Sequence, residues 1–193
     1  MVYQKWENKR KEGTKISNEN ESMRIINTIL LLFASCSILG WIYETVLEVF
    51  IYKTGFSNRG FLNGPYCVVY GFGAVILFFF LNRILTGDLK LISKILICFI
   101  LIVIISTGVE LAASYLMEYF TGSWMWNYER FTPNFEGRIA LNPSIRFGVG
   151  GLFIFFVILP LLLKIQPKAR DFSATVLTLI IAIDGIITIF LQN

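Results

Sequence analysis

Five long apolar stretches, separated by shorter polar segments, dominate the pattern of hydrophobic and polar positions along the chain. Each stretch has about 20 residues or more, which is the length that an α-helix needs to cross a hydrocarbon core of ~30 Å. The pattern therefore predicts an all-α membrane protein with five transmembrane helices. The predicted helices cover roughly residues 25–52, 66–85, 91–120, 145–165 and 172–191.

The first 24 residues differ from the rest because they are polar, mixed in charge and without apolar periodicity. They also lack the apolar region and the cleavage site of a signal peptide. We therefore predict a flexible cytoplasmic tail at residues 1–24, followed by a five-helix transmembrane domain at 25–193. Met23 could also be the natural start of the chain.

The composition agrees with a membrane protein and excludes several kinds of site. Hydrophobic residues make up 55% of the chain and charged residues 16%, with a mean hydropathy of +0.67, whereas soluble domains are about 25% charged. The chain has no His and three cysteines without a CxxC pair, which argues against a zinc site or a disulfide framework. We predict no metal, no cofactor and no nucleic-acid partner.

The distribution of Lys and Arg predicts the orientation in the membrane. The tail holds six of them, and the connections between helices 2 and 3 and between helices 4 and 5 hold three each, whereas the opposite side holds five. Positive residues are enriched on the cytoplasmic side of bacterial membrane proteins. We therefore expect a multi-pass protein of the bacterial plasma membrane, with a cytoplasmic N-terminus and an extracytoplasmic C-terminus.

The loops after the first and third predicted helices share a motif. Each reads Arg-x-x-Leu-Asn, then a Pro, then aromatic-Gly-x-Gly, at residues 59–73 and 138–150. The match predicts a parallel repeat of two helix-loop-helix units, followed by a fifth helix. Such repeats occur in transporters, which bind their substrates at the repeat interface. Chance similarity between two apolar hairpins is the alternative.

Two glutamates in the outer part of each long helix are the candidates for chemistry, because a charge inside the bilayer costs about 2.5–3.5 kcal/mol. We expect Glu44 and Glu110 to lie roughly 12–15 Å deep in a polar pocket open to the outside. The residues expected to bind substrate there are Glu44, Arg59, Asn63, Glu110, Arg138, Asn142, Trp126 and Tyr128.

A structural interpretation competes with this pocket. Glu48 and Glu118 lie near the membrane surface, and Glu–Arg pairs that tie the loops to the helix ends are the favoured explanation for them. Trp126 and Tyr128 would then belong to an interfacial aromatic belt. The sequence does not decide which role Asp184 has in the fifth helix.

Evidence for an enzyme is thin. No Ser-His or Cys-His pair can form in a chain without His, and neither hairpin matches a P-loop or a dinucleotide-binding fingerprint. We predict no catalytic residue. A carboxylate–Arg enzyme that modifies lipid at the outer leaflet stays open as an alternative.

Several short motifs resemble the CmpB-like family of bacterial membrane proteins, described as ABC-transporter type IV permeases. They are GWIYE at 40–44, NRGFLNGP at 58–65, YGFG at 70–73, Glu110, WNY at 126–128 and GRIAL at 137–141. The resemblance covers roughly residues 30–165. This chain has Val68-Val69 where the family usually has Pro-Ile, and Asn127 where the family has Asp, which removes one loop carboxylate. The resemblance implies a small permease-like subunit that needs a separate ATPase partner.

Together these observations predict the membrane subunit of a transporter, with homo- or hetero-oligomers expected because the chain is small. Two other classes stay open. One is the outer-leaflet lipid-modifying enzyme, and the other is a non-catalytic assembly or sensing subunit.

Overall fold

The computed structural model describes the backbone of residues 18–191 and the side chains of residues 22–190. Helix α1 runs from Asn18 to Val46 and continues as a π-helical turn over Leu47–Tyr52. The remaining helices are α2 (Val68–Thr86), α3 (Leu91–Thr121), α4 (Leu141–Lys164, with a π-helical stretch at Ile154–Ile158) and α5 (Pro167–Leu191). Between α3 and α4, strand β1 (Asn134–Phe135) pairs with β2 (Ile139–Ala140) in an antiparallel ladder.

All five helices are long and apolar enough to cross a membrane. The predicted all-α fold with five transmembrane helices is therefore confirmed, and the chain is a multi-pass membrane protein. The predicted tail lies outside the described residues up to residue 17, whereas residues 18–24 already form the first turns of α1.

The helix starts differ from the prediction where polar residues or prolines begin a helix. The apolar pattern placed the start of α1 at residue 25, but the helix begins at Asn18, because hydropathy detects only the part that lipid surrounds. Helices α4 and α5 begin four and five residues earlier than predicted, at Leu141 and Pro167. Pro143 and Pro167 are tolerated there because the first turn of a helix makes no use of their missing N–H.

The chain divides into two compact units. The α1–α5 unit contains α1, the first hairpin, the first turns of α2, and α5; the α3–α4 unit contains the rest of α2, α3, the second hairpin, and α4 up to Pro160. Each unit holds one of the two hairpins that the sequence singled out.

In the α1–α5 unit, α1 packs along α5, and the hairpin inserts its apolar residues beside them. Ala34, Leu62, Tyr66 and Ile181 form a buried cluster in this unit. Gly71 brings the start of α2 against α1, because a Cβ there would stand 2.7 Å from the carbonyl oxygen of Phe33. Small residues permit such close helix approach inside membranes.

In the α3–α4 unit, α4 packs against α3 through glycine in the same way. A Cβ on Gly148 would stand 2.6 Å from the ring of Phe99 and 2.7 Å from Val103. The hydroxyl of Thr107 on α3 donates to that of Ser144 on α4 at 2.7 Å. This bond fixes the height of the first turn of α4 relative to α3.

Candidate functional site

Glu44 on α1 accepts a hydrogen bond from the phenol of Tyr70, the third residue of α2. Gly40 lies one helical turn before Glu44, on the same face of α1. A side chain there would overlap the ring of Tyr70, whose Cβ would be only 2.7 Å away. Gly40 and Glu44 of the GWIYE motif therefore act together. Gly40 leaves room for the ring of Tyr70, and Glu44 accepts the hydrogen bond of its phenol.

Arg59 forms an ion pair with Glu48 in the π-helical turn at the end of α1. The sequence led us to expect Arg59 and Asn63 opposite Glu44. In the structure Arg59 instead pairs with Glu48, which lies one turn further along the helix. The hairpin is also held by Asn58, which accepts a hydrogen bond from the indole of Trp41 at 2.7 Å. These contacts are the structural pairing that the sequence favoured for Glu48.

Cys67 lies beside this group and is buried. Burial raises the pKa of its thiol to about 12; the charge of Glu44 raises it as well, and that of Arg59 lowers it. The thiol is therefore protonated at neutral pH and behaves as a small apolar side chain.

Asn63 engages α5. Its amide donates to Asp184 at 3.1 Å and to the hydroxyl of Thr188 at 2.8 Å. Asp184 also accepts the backbone N–H of Gly64 at 2.9 Å and the phenol of Tyr66 at 2.8 Å. We call Asn63, Gly64, Tyr66 and Asp184 the Asp184 latch, because together they fasten the hairpin to α5.

These contacts give Asp184 a structural role, which the sequence had left open. Burial, the hydrogen bond to Asp184 and the charge of Asp184 raise the pKa of the Tyr66 phenol to about 12, so the phenol stays a donor. A shallow cleft of about 430 Å³ lies beside the latch, and its apolar wall is formed by three isoleucines of α5.

Glu110 is the corresponding carboxylate of the α3–α4 unit and is only 7% exposed. It accepts a hydrogen bond from the phenol of Tyr128 at 2.7 Å. The loop that presents this phenol is pinned by two bonds, from the backbone N–H of Tyr128 to Gly137 at 2.7 Å and from the indole of Trp126 to the carbonyl of Arg138 at 2.8 Å. The WNY motif therefore shapes the loop around Glu110.

Arg138 is buried within its own unit. Its guanidinium lies 3.9 Å from the ring centroid of Trp124 and 4.2 Å from that of Tyr115, and it forms ion pairs with Glu118 and Glu136. The second hairpin is thereby tied to the outer part of α3. Asn142 is exposed as the second residue of α4.

The two units share a two-level arrangement of contacts. In each, the inner glutamate of the long helix accepts a tyrosine phenol and the outer glutamate pairs with the hairpin arginine. The contacts are Tyr70–Glu44 and Arg59–Glu48 in one unit, and Tyr128–Glu110 and Arg138–Glu118 in the other. The arrangement agrees with the predicted repeat. The two units differ at their asparagines. The side chain of Asn63 donates hydrogen bonds to Asp184 and Thr188, whereas Asn142 is exposed.

Both inner glutamates lie near the level at which the helices after the hairpins begin. The apolar part of α1 and the whole of α3 each have 31 residues, or about 46 Å, which exceeds the ~30 Å core by roughly ten residues. Glu44 is level with the first turn of α2, a helix just long enough to span that core. Glu110 lies one turn beyond Thr107, which is level with the first turn of α4.

Fold and contacts thus define a multi-pass helical membrane protein with two polar clusters under its hairpins. The chain belongs to the family described as "Putative ABC-transporter type IV", whose model matches residues 31–189. The family resemblance read from the motifs is confirmed, and the matched range also includes Asp184. Neither the comparison with curated proteins nor that with solved structures finds a match.

Proposed function

We propose that the chain is the membrane subunit of an ABC-type transporter that works with a separate ATPase subunit. The observation that carries the proposal is the family match across residues 31–189, which spans all five membrane-crossing helices. The excess of Lys and Arg in the tail and in two connections supports a cytoplasmic N-terminus and an extracytoplasmic C-terminus in a bacterial plasma membrane. The small size of the chain favours assembly into homo- or hetero-oligomers.

In this proposal the polar clusters under the hairpins bind a substrate with ionic or hydrogen-bonding groups. The candidate residues are Glu44, Arg59 and Asn63 in the α1–α5 unit, and Glu110, Trp126, Tyr128, Arg138 and Asn142 in the α3–α4 unit. Their contacts suggest a division of work. Arg59 and Arg138 hold the hairpins in place, whereas Glu44 and Glu110 accept hydrogen bonds from tyrosine phenols and supply the carboxylates that bind the polar groups of the substrate.

The test is co-purification from the native host followed by reconstitution in liposomes. We expect a nucleotide-binding subunit to accompany the chain, and we expect its ATP hydrolysis to depend on the chain and to respond to a panel of small polar compounds. Glu44→Gln and Glu110→Gln should abolish that response while the complex still assembles. Glu129→Gln, in the exposed loop, is the control. A response that survives both substitutions would remove the two carboxylates from the proposal.

One observation favours the assembly or sensing subunit as a second candidate. Arg59, Arg138 and Asp184 are engaged in contacts that make the hairpins rigid, as a docking platform requires. Such a subunit would bind a protein partner and would tolerate Glu44→Gln together with Glu110→Gln. Lipid turnover by the purified chain without any ATPase would instead indicate the outer-leaflet enzyme.

A further inference from the structure

The cleft beside the Asp184 latch lies between the first hairpin and α5, within the α1–α5 unit. It has a volume of about 430 Å³, and it is lined by the four latch residues together with Ile180, Ile183 and Ile187. Small-molecule sites commonly have volumes of about 300–1,000 Å³, mostly apolar walls and a few polar groups that fix the orientation of the ligand. The cleft therefore has the size and the lining of a small-molecule site.

Asp184 carries the charge of this cleft, and its hydrogen-bond partners are all neutral. It accepts the amide of Asn63, the backbone N–H of Gly64 and the phenol of Tyr66. Such hydrogen bonds favour the ionised form of a carboxyl group, but they do not cancel its charge. Among residues 22–190, no Lys or Arg forms an ion pair with Asp184.

Two other carboxylates of the same unit do have cationic partners within the chain. Glu48 pairs with Arg59, and Asp171 pairs with Arg170 in the first turns of α5. Asp184 instead lies far along α5, within a helix apolar enough to cross a membrane, where an unpaired charge is costly. A cationic ligand in the cleft would supply the counter-charge that the described part of the chain does not.

The isoleucines of the cleft decide which kind of cation fits. Ile180, Ile183 and Ile187 are 49%, 55% and 43% exposed, and they lie on the face of α5 that also carries Asp184. A bare metal ion needs several oxygen, nitrogen or sulfur ligands. The described residues contain no group of three His, Cys, Asp or Glu side chains able to hold one. The wall instead suits the apolar part of an organic cation.

We propose that this cleft binds an amphiphilic organic cation, with its ammonium group beside Asp184 and its apolar part against the three isoleucines. The latch already fills three of the roughly four positions at which a carboxylate accepts hydrogen bonds. The ligand therefore need not donate one, and a quaternary ammonium group suffices. The site shares only Asn63 with the candidate substrate residues, and it is independent of the proposed transport function because binding requires no ATPase.

The experiment is isothermal titration calorimetry of the full chain in a detergent with a neutral headgroup. The probes are hexyltrimethylammonium and hexanesulfonate, which have the same alkyl chain and opposite charges, and empty micelles are the blank. We expect one hexyltrimethylammonium to bind per chain. Hexanesulfonate should bind about tenfold more weakly or not at all, because its charge is repelled by Asp184.

A lysine placed beside Asp184 should compete with the ligand. In Ile187→Lys the new ammonium group lies three residues after Asp184 on the same face, and binding should weaken about tenfold or more. Ile186→Lys is the matched control, because Ile186 is 57% exposed and does not line the cleft. The same charge there should change binding by less than about threefold at moderate salt.

A second variant tests the wall without adding a charge. Ile183→Ala removes apolar surface from an exposed position and leaves the hydrogen bonds of the latch intact, so it should weaken binding about threefold or more. Should Ile187→Lys not fold, this loss must still be observed.

Four results would overturn the cation site. They are equal binding of the two probes, unchanged binding in Ile187→Lys, an equal loss in Ile186→Lys, and unchanged binding in Ile183→Ala. Displacement of the probe by millimolar magnesium, but not by sodium chloride of the same ionic strength, would also contradict the proposal, because it would indicate a metal-ion site.

Discussion

The phenol of Tyr70 donates its hydrogen bond to the carboxylate of Glu44, across the interface between the start of α2 and α1. Tyr128 makes the same bond to Glu110 in the other unit. In both units a neutral donor meets the inner carboxylate. The inner and outer glutamates of one helix, which look equivalent in sequence, therefore have different partners.

Gly40→Ala should separate Tyr70 from Glu44. The new Cβ would stand 2.7 Å from the Cβ of Tyr70, an atom too close to the backbone to move freely. Overpacking of this kind costs about 1–3 kcal/mol of unfolding free energy. Gly73→Ala is the matched control, because apart from its chain neighbours and the adjacent backbone of its own helix no atom of the described residues lies within 4 Å of its Cβ position. Equal stabilities of the two variants in a detergent unfolding titration would refute the packing role of Gly40.

Replacing the hairpin arginines by lysine should affect the two units unequally. The side chain of Arg138 is 6% exposed and stacks on two rings, whereas that of Arg59 is 31% exposed. Lysine keeps the charge but loses the planar stacking and the fork. We expect Arg138→Lys to cost about 1–3 kcal/mol and Arg59→Lys less than about 1 kcal/mol. Thermal unfolding in detergent measures the difference, and a larger loss for Arg59→Lys would contradict this ranking.

The helices could be predicted from sequence because the bilayer demands long apolar segments with all backbone groups bonded internally. This requirement applies only to the parts of the chain that lipid surrounds. The polar first turns of α1 from Asn18 and the proline-containing first turns of α4 and α5 therefore escaped the hydropathy pattern, although Pro143 and Pro167 are typical of helix starts.

The candidate site could be predicted by residue type but not by pairing. Glu44 and Glu48 are four residues apart on one face, so spacing alone cannot decide which of them receives Arg59. Asn63 lies 121 residues before Asp184, and no local pattern links them. The sequence did contain a signal for this contact, because a single Asp within an apolar stretch of helix needs hydrogen-bond donors. The hairpin offers three in succession at residues 63, 64 and 66.

Asp184→Asn should release the first hairpin from α5. Asp184 accepts bonds from Asn63, Gly64 and Tyr66, whereas an amide would turn one donor toward them. Losing a charged acceptor of several bonds costs about 2–3 kcal/mol. Asp171→Asn is the control, because among the described residues its carboxylate is hydrogen-bonded and ion-paired only with the adjacent Arg170. Faster proteolysis at residues 53–65 in Asp184→Asn alone would report the release, and equal rates in both variants would count against the latch.

The Asp184 latch should also weaken in alkali through Tyr66. The folded protein raises the pKa of this phenol to about 12, by burial and by its bond to Asp184, whereas an unfolded tyrosine has a pKa of about 10. The folded state therefore holds the proton more tightly between these values. Its stability is complete below about pH 10 and falls as the pH rises toward about 12.

The ultraviolet absorbance of tyrosinate measures this titration directly. Subtracting the curve of Tyr66→Phe from that of the wild-type chain should leave one phenol with a pKa of about 12. In Asp184→Asn the same phenol should titrate lower but still above about 10, because burial, the largest cause of the shift, is retained. The stability of Tyr66→Phe should decline less steeply above about pH 10 than that of the wild type. A difference curve of the folded wild-type chain that coincides with that of Asp184→Asn would show that Asp184 does not hold the phenol of Tyr66, and one centred near pH 10 would show that burial does not shift its pKa either.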